Sequence, residues 1–123
     1  MRWLLHGNLT PAVAEALRQR GDNVVDPATV GVSAVVPHGE VLKAAHAAQL
    51  DVMTGDPKLA EAPFAEEAPA FGRSIVYLQL EGGDVEQDDA VTRLFHRYKR
   101  LTPGRLYTVT GTRVKIRQLP GGK

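Results

Sequence analysis

The chain has 123 residues, of which 43% are apolar, 24% are charged and none is cysteine. This length fits one domain with a hydrophobic core, and the absence of cysteine excludes disulfides and thiolate metal sites. The net charge is only +1, and no stretch approaches the ~20 apolar residues that a membrane span needs, so we expect a soluble, cytoplasmic protein with no membrane segment.

The first 25 residues have the pattern of a β-α-β unit. Arg2–Leu5 is a short apolar run of the kind that forms a buried strand. Thr10 before Pro11 is a typical helix start, and Gly21 is a typical helix stop. Asn23–Val25 then predicts a second strand. Such an opening favours a parallel sheet with helices on its faces.

The middle of the chain continues the alternation of helix and strand. Pro27–Gly39 is predicted to be a loop, and Glu40–Gln49 has the broad apolar face of a helix. Asp51–Thr54 predicts the next strand. The Pro- and Glu-rich segment Ala60–Gly72 is expected to be an exposed loop, and Ser74–Leu80 is an apolar strand.

The last part of the chain predicts a helix and a β-hairpin. Asp88 and Asp89 begin a helix that continues to about Arg100, with acidic residues at its start and basic residues at its end, as the helix dipole prefers. Leu106–Thr110 and Arg113–Leu119 flank a two-residue turn. The expected fold class is therefore α/β, with a mainly parallel central sheet and a C-terminal hairpin.

Charge is divided along the chain. Residues 1–92 hold all 14 acidic residues and six Lys or Arg, a net charge of −8, whereas residues 93–123, the basic segment, hold nine Lys or Arg and no acid. Six of these cations recur at the spacing of one helix face or one strand face: Arg93, Arg97 and Arg100, then Arg113, Lys115 and Arg117. These faces would fit a phosphate backbone. Alternatively, they are solvated or pair with the acidic part within the domain or in a homodimer.

Polar residues follow the first and third strands. His6 and Asn8 end the first strand, Thr54 and Asp56 end the third, and Glu40 opens the helix before it. Ligands bind at the carboxyl ends of parallel strands, and acidic clusters there suit Mg²⁺ or Mn²⁺, which activate water for attack on a phosphodiester. Each residue also has an ordinary explanation as a helix cap, a first-turn acid or a loop hydrogen-bonding group.

Five short motifs carry a resemblance to a known family. They are LLHGNLT at 4–10, RQRG at 18–21, GEVL at 39–42, TGD at 54–56 and RVKIR at 113–117. In this order they resemble the short bacterial PIN-like domains, relatives of the VapC-type toxin ribonucleases, over nearly the whole chain. The first motif corresponds to LL-D-x-N-L-P in that family.

The resemblance implies a three-layer α/β domain that covers residues 1–123. It implies an RNA-cleaving site in which Asp56 and Glu40 hold Mg²⁺ or Mn²⁺, with Asn8 and Thr54 as supporting residues. It also implies an antitoxin-like protein as a partner.

His6 departs from that family, whose site has a carboxylate at this position. Imidazole is a poor Mg²⁺ ligand and adds no negative charge. His6 is therefore a ligand for a softer metal, a general acid or base, or a remnant of an inactive site. Two functions stay open: a metal-dependent endoribonuclease or its RNA-binding descendant, and a non-catalytic module for protein interaction or dimerisation.

Overall fold

A computed structural model describes residues 1–33, 36–66 and 68–120, and these residues build an α/β fold on one six-stranded sheet. The strand order is β2-β1-β3-β4-β5-β6. The first five strands pair in parallel, and β6 runs antiparallel to β5. The strands are β1 (Arg2–His6), β2 (Asn23–Val25), β3 (Asp51–Thr54), β4 (Ile75–Leu78), β5 (Arg105–Val109) and β6 (Val114–Gln118).

Helices cover both faces of this sheet. They are α1 (Pro11–Gln19), α2 (His38–Ala47), α3 (Pro57–Glu61) and α4 (Asp84–Arg97), with short 3-10 turns at Pro27–Val30 and Ala62–Phe64. None of the described helices is both long enough and apolar enough to cross a membrane.

Alternate strand residues point into two separate cores, because successive side chains of a strand lie on opposite faces. On one face, here called the α2 face, the strand residues Leu4, Val52 and Ile75 pack with residues of α2 and α3. On the other, the α4 face, Trp3 and Met53 pack with residues of α1 and α4. The fold is therefore three layers, helices–sheet–helices, with an apolar core on each side.

The predicted β-α-β opening, the parallel sheet and the C-terminal hairpin are confirmed. Strands β2 and β3 have the predicted bounds. Helix α2 begins at His38, two residues before the predicted start, because Pro37 precedes it with extended backbone as the N-cap residue. Glu40 consequently lies in the first turn of the helix.

Two boundary predictions are wrong. Helix α4 begins at Asp84 rather than Asp88, because the Glu86 carboxylate accepts a hydrogen bond of 2.8 Å from the Gly83 N–H and caps an earlier start. The helix ends at Arg97, so Arg100 lies outside it.

The predicted loop Ala60–Gly72 is also shorter than expected, and residue 67 lies outside the described residues. Its first part belongs to α3 and the 3-10 turn Ala62–Phe64. Within the predicted loop Pro27–Gly39, the described part includes a 3-10 turn and the first residues of α2, while residues 34–35 are not among the described ones.

Candidate metal-binding site

Three side chains of the α2 face stand side by side at the carboxyl ends of neighbouring strands. His6 of β1 is in register with Thr54 of β3, and Thr54 is in register with Tyr77 of β4. Each lies two residues after a core residue of the α2 face, so all three point toward that layer. Asp56 lies two residues after the end of β3. His38 is the first residue of α2, and its side chain contacts Asp56.

His6, His38 and Asp56 form a group that could hold a metal ion. One ligand atom from each lies within 4.8 Å of the others. His38 Nε2 is 2.9 Å from Asp56 Oδ2, and the rings of the two histidines are 5.7 Å apart in an edge-on arrangement. This spacing is close enough for the three side chains to share one metal ion.

Thr54 positions two members of the group. Its side chain is fully buried, and its Oγ1 accepts a hydrogen bond of 2.9 Å from the Asp56 N–H and lies 3.1 Å from His6 Nδ1. Because Thr54 engages Nδ1, the Nε2 atom of His6 is left for coordination. Asp56 Oδ1 accepts a hydrogen bond of 2.8 Å from the Lys58 N–H, which leaves Oδ2 directed at His38.

Gly7 permits the close approach of the β1–α1 loop to Asp56. Its φ is +79°, and a Cβ atom built there would lie 3.1 Å from Asp56 N and 3.3 Å from Thr54 Oγ1. Both the backbone conformation and the contact therefore favour glycine.

The electrostatics keep His6 neutral and Asp56 ionised. Burial lowers the pKa of His6, and the nearby His38 adds to this effect while Asp56 opposes it. Burial alone would raise the pKa of Asp56, but the hydrogen bonds from His38 and the Lys58 N–H, with the positive charge that either histidine carries when protonated, lower it overall. A neutral imidazole and a carboxylate are the forms that bind metals. Burial and the Asp56 charge raise the pKa of Tyr77, so its phenol stays protonated.

The group faces an open cleft of about 600 Å³. A cleft of this size accommodates a small molecule or a segment of a polymer. Its wall carries both polar and apolar residues: His6, Gly7, Asn8, Val36, Pro37, His38, Asp56 and Lys58.

The structure brings together most of the predicted site residues but not Glu40. His6 and Asp56 belong to the group, Thr54 joins them, and Asn8 lines the cleft. The Glu40 side chain is 58% exposed, and its carboxylate lies 3.7 Å from Lys43 Nζ. Glu40 is outside the group of described residues that could hold an ion.

His38 is the site residue that sequence reasoning missed. It stands two positions before Glu40, at the true start of α2. The sequence signal for His38 is a histidine that directly follows Pro37 and precedes an apolar helix.

The predicted basic helix face is smaller than expected. Arg93 donates to Asp89 at 2.7 Å and to the Thr110 carbonyl at 3.1 Å, so its guanidinium is already engaged. The Arg97 guanidinium lies 5.5 Å from the ring of Tyr98. Arg100 follows the end of α4, so the prediction that it shares a helix face with Arg93 and Arg97 is wrong.

The predicted basic strand face contains Lys115 and Arg117, while Arg113 precedes β6. The Arg117 guanidinium lies 3.6 Å from the centre of the Phe64 ring and 3.5 Å from the Glu61 carboxylate. Lys115 is exposed and in register with Thr108, which is in register with Tyr77.

A continuous cross-strand row thus leads from the metal-binding group to the basic strand. The row consists of His6, Thr54, Tyr77, Thr108 and Lys115. With strands about 4.8 Å apart, its ends are about 19 Å apart across the sheet.

Comparison with known proteins adds no relative. The chain matches no protein-family model, and no curated protein or solved structure is significantly similar to it.

Proposed function

We propose that this chain is a PIN-like, metal-dependent endoribonuclease. The observation that carries the proposal is the convergence of His6, His38 and Asp56 at the carboxyl edge of a mostly parallel sheet, in an open cleft. This edge is where ligands bind in open α/β sheets. The mostly parallel three-layer fold and the order of the sequence motifs support the PIN-like assignment.

Each residue of the site has a defined task in this proposal. His6, His38 and Asp56 would hold a divalent cation. Such an ion, when bound, would activate a water and offset the charge that develops on the phosphodiester. Thr54 fixes the orientation of His6 and of the Asp56 backbone. Lys58, on the cleft wall, offers a positive charge to the phosphate.

The positive charge of the basic segment is consistent with an anionic substrate. Among its described residues, only Arg93 and Arg117 form ion pairs with carboxylates. Internal neutralisation of the two parts of the chain therefore accounts for few of these cations. The cross-strand row ends at the exposed Lys115, which places a cation of the basic segment on the same face of the sheet as the cleft, where a phosphate backbone could contact it.

The test is cleavage of a generic single-stranded RNA by the wild type and by Asp56→Asn, each with Mg²⁺, Mn²⁺ or Zn²⁺. Asp26→Asn is a matched control: Asp26 also precedes a proline, and its carboxylate accepts a hydrogen bond of 3.0 Å from the Ala28 N–H, but it has no place in the metal-binding group. We expect cleavage by the wild type and by Asp26→Asn, and none by Asp56→Asn. Equal cleavage by all three proteins, or cleavage by none, would count against the proposal.

A second candidate is a non-catalytic module that self-associates. It is favoured by β6, an edge strand on which Ile116 is 40% exposed beside Lys115 and Arg117. If the basic segment pairs with acidic residues of a second copy, the dimer must weaken as salt is added. Light scattering at low and high salt tests this, and a mass independent of salt and protein concentration would exclude such electrostatic pairing.

A further inference from the structure

The donor atoms of the site do not fit Mg²⁺, one of the two ions that the sequence resemblance implies. The group offers two imidazole nitrogens and one carboxylate oxygen. Mg²⁺ prefers oxygen ligands in octahedral geometry and keeps several waters. Imidazole instead suits Zn²⁺, Fe²⁺, Ni²⁺ and Cu²⁺. Glu40, which would have been a second oxygen donor, is turned toward Lys43.

We propose that the site binds Zn²⁺, or a transition-metal ion with similar ligand preferences, more tightly than it binds Mg²⁺. Catalytic zinc sites have three protein ligands, including sets of two histidines and one carboxylate, and leave one position for water or substrate. The group has that composition, and the open cleft provides the free position. The inference rests on the proposed function only for the location of the site.

The charge around the group points in the same direction. Asp56 is the one carboxylate among the residues described on the cleft wall, and Lys58 adds a positive charge there. Electrostatic attraction alone is therefore too weak to hold a hard cation such as Mg²⁺. Binding must come from directed bonds to the imidazole nitrogens, which favour Zn²⁺ over Mn²⁺ in the usual order of divalent affinities.

The surroundings orient the ligands as outer-shell partners do in metal sites. Thr54 Oγ1 contacts the His6 ring, and the Lys58 N–H holds one oxygen of Asp56. Both partners come from positions close to β3, so the arrangement is fixed by the sheet rather than by a free loop.

The experiment measures metal binding to the full chain without RNA. Chelator-treated protein is titrated calorimetrically with Mg²⁺, Mn²⁺, Co²⁺ and Zn²⁺, and the Co²⁺ complex is examined by visible absorption. We expect affinity to rise in that order, with no Mg²⁺ binding at concentrations that saturate with Zn²⁺. His38→Ala should lower Zn²⁺ affinity by at least about tenfold and change the Co²⁺ spectrum. His96→Ala, on the exposed surface of α4, is the control and should bind like the wild type.

A conversion variant makes the test sharper. The double variant His6→Asp, His38→Asp supplies three carboxylates and should gain Mg²⁺ binding while losing Zn²⁺ affinity. Equal affinity of the wild type for Mg²⁺ and Zn²⁺, or full Zn²⁺ binding by His38→Ala, would overturn the inference. Zn²⁺ binding without RNA cleavage would leave the inference standing and reject the nuclease. RNA cleavage with Mg²⁺ together with no Zn²⁺ binding would reject the inference and leave the nuclease standing.

Discussion

Thr54 is a single buried hydroxyl through which two of the three candidate ligands are positioned. Replacing it by valine keeps the shape and removes the contacts. We expect Thr54→Val to lower Zn²⁺ affinity by about 10–100-fold, the usual cost of losing an outer-shell partner. Thr54→Ser retains the hydroxyl and should bind nearly as the wild type does. Isothermal titration checks both variants, and unchanged affinity in Thr54→Val would show that the hydroxyl does not support the site.

Gly7 combines a left-handed backbone with close contact to the site, whereas Gly21 has the same kind of backbone, with φ of +92°, and no atom within 4 Å of a built Cβ. Alanine at either position should reduce the free energy of unfolding by about 1–2 kcal/mol, the cost of the left-handed conformation. Gly7→Ala should also weaken Zn²⁺ binding because its Cβ presses on Asp56. Urea unfolding and zinc titration separate the two effects. Equal zinc affinity in both variants would contradict the role given to Gly7.

At the scale of elements, Asp22 joins the end of α1 to the sheet. Its Oδ2 accepts hydrogen bonds from the buried Trp3 indole at 2.9 Å and from Arg20, and its Oδ1 accepts one from the Met1 amine at 3.1 Å. Burial alone would raise the pKa of Asp22, but these hydrogen bonds and the Arg20 charge lower it overall. The carboxylate therefore stabilises the fold above its unfolded pKa of about 3.9. That contribution is lost as pH falls through the lower folded value.

Asp22→Asn removes this charge and keeps an acceptor for Trp3. We expect it to lower the free energy of unfolding at pH 7 by about 1–2 kcal/mol, since hydrogen bonds to a charged group are lost. The difference from the wild type should begin to shrink as pH falls below the unfolded pKa of about 3.9, and it should be lost once the pH is below the lower folded pKa of Asp22. Urea unfolding at several pH values measures it, with the exposed Asp88→Asn as control. A difference independent of pH would contradict the assignment.

The β-α-β opening was predictable because several local signals agree there, whereas the starts of α2 and α4 were not predicted. The β-α-β opening follows from an apolar run, Pro11 after Thr10 and the stop at Gly21. Helix α2 starts after Pro37, and helix α4 starts where the Gly83 N–H donates a hydrogen bond to the Glu86 carboxylate. The residue types at these positions do not by themselves indicate a helix start. Because the predicted start of α2 was two residues too late, His38 was assigned to the preceding loop and was not considered as a site residue.

At the scale of the molecule, the sheet determines which predicted residues meet. The parallel order of β1 beside β3 was implied by the opening unit, and it brings His6 against Thr54. The Glu40 side chain is exposed on α2 beside Lys43, three residues later, a placement that is set by the helix register and that the GEVL motif does not specify. Two of the three residues of the metal-binding group, His6 and Asp56, were therefore among the candidates named from the sequence, and His38 was not.

The cross-strand row links the site to Lys115 and predicts a specific salt dependence. Lys115→Ala should weaken binding of single-stranded RNA and reduce the slope of log affinity against log salt by about 0.7, the value for one phosphate contact on a single strand. Lys43→Ala is the control, because Lys43 already faces Glu40 on α2. Filter binding from low to high salt gives both slopes. Equal slopes for Lys115→Ala and the wild type would place the RNA elsewhere.

The most direct test of the central claim is anomalous diffraction at the zinc edge from crystals of the chain grown with Zn²⁺. We expect a peak among His6, His38 and Asp56, with bonds of about 2.0–2.2 Å to all three and Glu40 at a distance. A peak bound instead by Glu40 and Asp56, or no peak in this cleft, would contradict the account.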